Sequence, residues 1–181
     1  KHILQEPRPG LVLSRLRELG IFEFLFPGVD YTPVEPVLEE MPLSLNVLRA
    51  WHPAEQGESW VSYLIALLHL TEQGEADNLC RHYNLANRQR EKVAKTIAGW
   101  RKAVDALGKG NGGTMSEMVK QVAGLPRESY PLLLTYLRDY ASRSRFRKVL
   151  SAVYYDRPAI TGKDLLALGF KPGPSFKAAM E

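Results

Sequence analysis

The densest chemistry in the chain lies in RSRFRKVL (143–150), where Arg143, Arg145, Arg147 and Lys148 fall within six positions. Guanidinium groups fork onto phosphate oxygens, and cations this close repel one another unless anions neutralise them. A second basic line runs through residues 87–107, with Arg88, Lys92, Lys95 and Lys102 along one side. A third closes the chain in ITGKDLLALGFKPGPSFKAAME (160–181), where Lys163, Lys171, Ser175 and Lys177 lie around two expected helix starts. Free amides at a helix start flanked by lysines suit a phosphate, and all three segments suit contact with a polyanion backbone. The competing accounts are solvated helix faces for the first two and a purely structural helical hairpin for the third.

Other constellations fail on spacing. A metal-dependent phosphohydrolase places a carboxylate directly after its histidine, but His69 is followed by Leu70, so His69 reads as a satisfied core residue. GKGNGG (108–113) lacks the strand and the spacing of a phosphate loop and reads as a linker. Glu75 and Asp77 flank Ala76 without the strand and glycine-rich turn that a magnesium-binding pair for nucleotidyl transfer requires, so they read as a solvated helix start. No Ser-His-Asp or Cys-His arrangement emerges, and the single Cys80 with four scattered His argues against structural zinc. No active site is expected in this chain.

The elements that position these residues are helical. Val93, Ile97, Trp100, Val104 and Leu107 recur at one helical stripe, as do Phe146, Val149, Leu150 and Val153. Leu11, Leu13, Leu16 and Leu19 suggest a helix ended by Gly20, and the apolar run 58–74 suggests the most buried one. Pro27, Pro33, Pro36 and Pro42 predict a loop over 27–42, with a helix following from Leu43 to Trp51. Further helices are expected over 75–83, from Thr114 or Ser116 to about 123, over 126–142 and over 143–155. Thr161 and Asp164 would cap a helix ended by Gly169, and Pro174 would open the next. Strand alternation is nearly absent. The expectation is an all-α fold of about nine or ten helices in two packed sub-bundles, 1–107 and 114–181, joined by the glycine-rich linker 108–113.

Charge separates the two halves. Residues 1–80 hold five Lys/Arg against twelve Asp/Glu, and residues 81–181 hold nineteen against eight. Such asymmetry points to a polyanion partner for the second half, or to a basic half that pairs with its own acidic one. No apolar run approaches the roughly 20 residues of a membrane span, and one lone cysteine fits a reducing cytoplasm. Both ends read as cut: Lys1 opens directly on apolar residues, and the last helix still runs at Glu181.

Two motifs carry a resemblance. ITGKDLLALGFKPGPSFKAAME contains an Ile-Thr-Gly-x-Asp-Leu…Gly-x-x-Pro-Gly-Pro pattern. ILQEPRPGLVLSRLRELGIFEFLFPGV (3–29) runs from Leu-x-x-Pro-x-Pro through Leu-x-x-Leu-Gly to Leu-Phe-Pro. In this order they resemble the tail and the end of the neck in bacterial tRNA nucleotidyltransferases of the poly(A) polymerase family. The stretch between them, residues 43–155, matches only in helical character and basic content. The resemblance implies the body and partial tail, which grip tRNA or another structured RNA. It also implies a catalytic head of the same parent chain, before Lys1, holding magnesium and ATP or CTP. Such a parent adds A, or C and A, to tRNA 3′ ends. The rival is a helical protein-interaction module whose basic faces meet an acidic partner.

Overall fold

The structure, a computed structural model, describes residues 1–52, 57–108 and 113–155. Within them the chain is all-α, with ten α-helices, one 3-10 turn and no strand among the described residues. The order is α1 (His2–Gln5), α2 (Pro9–Glu18), α3 (Phe22–Leu25), α4 (Glu35–Trp51), α5 (Ser59–Leu68), α6 (Gln73–His82), α7 (Asn87–Gly108) and α8 (Met115–Ala123). The 3-10 turn Arg127–Ser129, α9 (Tyr130–Tyr136) and α10 (Tyr140–Tyr155) complete it. The expected hairpin at the C-terminus, with Thr161, Lys163, Asp164, Lys171, Pro174, Ser175 and Lys177, lies outside the described residues.

The apolar run around Leu64 forms the centre. Every residue of α5 from Trp60 to Leu68 is buried, because a segment apolar all round is stable only when neighbours surround it. Helices α1, α4, α7 and α9 supply those neighbours. The stripe on α7 is buried at Val93, Trp100 and Leu107 and half-buried at Ile97 and Val104, with Thr96 and Ala103 widening it. On α10, Phe146, Val149 and Leu150 are fully buried. One core cluster runs from Leu4 to Leu150, and α8 and α10 both pack on α7. Among the described residues, α8, α9 and α10 thus share one core with the helices that precede them.

Two expectations shift. Helix α4 starts at Glu35, eight residues before the predicted start at Leu43, and contains Pro42. Pro36 stands in its first turn, where a missing N–H costs nothing. Pro42 leaves the Leu38 carbonyl without its helical donor, and that carbonyl lies against Gly10, where a Cβ would stand 3.3 Å away. Burial of Val37, Leu38, Met41 and Ser44 holds the turn that the proline weakens. On α2 the buried line is Pro9, Leu13 and half-buried Leu16, while Leu11 and Leu19 face outward.

Helix ends follow local rules. Gly20 adopts φ +67°, with Ile21 N–H bonded to Leu16 O and Gly20 N–H to Arg17 O, both at 2.9 Å. This left-handed double closure returns two orphan carbonyls of α2 to donors. Asn84 (φ 51°) closes α6 in the same way, with Leu85 N–H on Cys80 O. Thr114 caps α8 by accepting from Glu117 N–H at 3.2 Å.

Candidate nucleic-acid interface

The cations singled out in the sequence separate into two groups once their partners are known. On α7, Arg88, Lys95 and Lys102 are exposed and make no ion pair among the described residues. Seven residues separate each from the next, so they stand about 10.5 Å apart along the axis at 1.5 Å per residue. Arg101, which the sequence stripe did not single out, is exposed beside Lys102 with its guanidinium 5.0 Å from the Trp100 ring centroid. Its signal was its adjacency to Lys102. Glu91 and Asp105 interleave with these cations on the exposed side.

Lys92 departs from its predicted place on that face. Its side chain is 13% exposed, and Nζ donates to Glu128 Oε1 at 2.6 Å and lies 3.7 Å from Glu58 Oε1. Lys92 lies one position before Val93, on the flank of the apolar stripe, and this flank faces the 3-10 turn. Burial raises the Glu128 carboxyl, but the Lys92 hydrogen bond and charge, with the Glu128 and Glu58 amides, bring it below the ordinary glutamate range. Gly57 permits the approach: a Cβ there would stand 2.7 Å from the Glu128 carboxyl carbon.

On α10 the division repeats. Arg143 and Arg145 are half-buried and turn to backbone carbonyls. Arg143 Nε donates to Leu137 O at 2.6 Å, and Arg145 Nε donates to Leu107 O at 2.7 Å with Nη2 on Gly108 O at 3.4 Å. Arg145 thus closes the C-terminal end of α7, where unsatisfied carbonyls attract a cation. Arg147 and Lys148 remain exposed, with the Arg147 guanidinium 5.9 Å from the Trp51 ring centroid. The structure therefore joins the two basic helices at one point and leaves Arg88, Lys95, Lys102, Arg147 and Lys148 outward. Lys163, Lys171, Ser175 and Lys177 lie outside the described residues.

The remaining titratable groups have structural surroundings. His69 is buried, with Nδ1 2.7 Å from Ala66 O and Nε2 2.7 Å from the Tyr136 hydroxyl. A carbonyl pairs only with a donor, so Nδ1 carries the proton and Nε2 accepts from Tyr136. Burial pushes this imidazole down to about 4, which keeps it neutral. Asp77 accepts from Arg81 and Arg90, whose hydrogen bonds hold its carboxyl below the usual range. Burial pushes the Cys80 thiol up to about 11, which removes its nucleophilic form near neutrality. Among the described residues no group of three or more His, Cys, Asp or Glu can hold a metal ion, and no helix is long and apolar enough to cross a membrane.

Comparison with solved structures bears on the fold. The chain shares its fold with solved CCA-adding enzymes. An apo form superposes with TM-score 0.77 at 17% identity, covering 99% of this chain and 42% of that one. A CCA-adding enzyme complexed with ATP gives 0.76 at 17% identity, over 97% and 41%. The Thermotoga maritima CCA-adding enzyme complexed with tRNA gives 0.75 at 17% identity, over 97% and 42%. The chain thus spans about two fifths of the length of the structures it matches. No family model and no curated protein matches the sequence.

Proposed function

We propose that this chain is the tRNA-gripping part of a template-independent nucleotidyltransferase that adds A or CCA to tRNA 3′ ends. The observation that carries it is the likeness, over 97% of this chain, to a CCA-adding enzyme whose structure was solved with tRNA. The outward cations of α7 and α10 supply the chemistry such a grip requires, since phosphate contacts position a nucleic acid without reading its sequence. Catalytic carboxylates, magnesium and ATP or CTP belong in this proposal to a catalytic head outside the chain.

The test is binding of tRNA to the 181-residue chain over a salt series, beside an unrelated acidic protein. A-form RNA displays its 2′-hydroxyls and backbone in a shallow minor groove, so shape rather than base sequence is the expected readout. Affinity for tRNA should fall steeply with salt. A flat response, or equal binding of the acidic protein, overturns the proposal. Incubated with ATP, magnesium and tRNA lacking its 3′ end, the same chain should leave the RNA length unchanged.

A further inference from the structure

The first turn of α10 holds a tyrosine that packing does not explain. Tyr140 is 88% exposed, whereas Tyr31, Tyr63 and Tyr130 are all buried. Its backbone is nevertheless fixed on both sides. Asp139 caps the helix, accepting from Ser142 N–H at 2.8 Å and from the Ser142 hydroxyl at 2.6 Å. Arg138 pairs with Glu40 on α4, and Arg143 holds the Leu137 carbonyl. An exposed ring on a fixed backbone is preorganised for a flat partner, because little ordering remains to be done on binding.

The surroundings say which partner. At 100° per residue, Tyr140, Arg147 and Ser151 fall on one exposed face of α10, with half-buried Ser144 between them and Lys148 at the edge. Arg147 stands about 10.5 Å from Tyr140 along the axis, its guanidinium laid over Trp51. Helix α10 carries four cations and no carboxylate, unlike the outward face of α7. An aromatic ring beside phosphate-seeking cations is the combination that holds an unpaired nucleotide, the base stacked on the ring and the backbone neutralised beside it.

We infer that Tyr140 is a stacking platform for one unpaired RNA base, with Arg147 and Lys148 taking the adjoining phosphates. This rests on the RNA-gripping reading above and adds to it a demand for an unpaired nucleotide next to the helical stem.

The experiment compares a blunt RNA duplex with the same duplex carrying a short single-stranded overhang that contains 2-aminopurine. Both are titrated with the unsubstituted chain and with Tyr140→Ala and Tyr140→Trp. Tyr140→Ala should weaken overhang binding about 5- to 150-fold, the range that loss of one base stack of about 1–3 kcal/mol represents. It should leave duplex affinity, salt slope and melting temperature unchanged, since no phosphate contact is lost. Tyr140→Trp should restore both affinity and the quenching of 2-aminopurine. Equal overhang affinity for Tyr140→Ala and the unsubstituted chain overturns the inference while the RNA reading stands, as does equal loss on both RNAs. Absence of salt-dependent RNA binding by the unsubstituted chain overturns both.

Discussion

Arg145 and Arg147 lie two positions apart on α10 and meet different surroundings. Arg145 donates to the last carbonyls of α7, so Arg145→Ser should cost about 1–2 kcal/mol through lost hydrogen bonds and lost charge at a helix end. The Arg147 guanidinium lies over a half-buried Trp51 ring, and Arg147→Ser should cost under about 1 kcal/mol. RNA affinity should respond the other way, falling for Arg147→Ser through its lost phosphate contact. Lys92 and Lys95 make the same contrast on α7. Lys92→Met strands the buried Glu128 carboxylate and should cost about 3 kcal/mol, whereas Lys95→Met should leave stability within about 0.5 kcal/mol. Urea unfolding read beside tRNA anisotropy checks all four. Matching stability losses for Arg145→Ser and Arg147→Ser would refute the division of α10.

At the scale of elements, His69 ties three helices together. Its ring, at the C-cap of α5, accepts from Tyr136 on α9, and Trp100 Nε1–H on α7 donates to the His69 carbonyl at 3.1 Å. The folded imidazole titrates near 4 against an ordinary 6.5, so between these values the unfolded chain binds more protons than the folded one. The contribution is therefore complete above about pH 6.5 and is lost as pH falls toward 4, about 3 kcal/mol in all by linkage. His69→Gln should flatten the unfolding free energy across that window relative to the unsubstituted chain. An unchanged slope would show that His69 is not the titrating group. Such a lock was half legible in the sequence. The apolar context of His69 marked a core residue, but partners 31 and 67 positions away depend on how the helices pack. The stripes of α7 and α10 were legible because 3.6-residue periodicity survives burial. Pro42 was not, because buried side chains on both sides of it override a local penalty. Neither was Lys92, whose position on the wheel fits either a cationic flank or a buried ion pair until the 3-10 turn is in place.

At the scale of the molecule, ion pairs link the acidic first half to the basic second half among the described residues. Glu40 with Arg138, Glu58 with Lys92, and Asp77 with Arg81 and Arg90 are ion pairs between the halves among the described residues. Self-neutralisation thus accounts for some of the basic half and leaves Arg88, Lys95, Lys102, Arg147 and Lys148 facing solvent without a carboxylate partner among the described residues. A duplex releases about 0.9 counterion for each phosphate neutralised, so engagement of all five would give a log–log salt slope of about −4 to −5. Each cation removed should then make the slope shallower by about one unit, uniformly across RNA sequences. The double substitution Arg147→Ser with Lys148→Ser should therefore bring it to about −3 while the chain melts where it did before. The Arg145→Ser chain should keep the full slope at any temperature where it remains folded, because its guanidinium is already engaged by α7. If instead the slope follows Arg145 and ignores Arg147 and Lys148, the RNA approaches at the junction of α7 and α10, and the outward face of α10 carries only solvent.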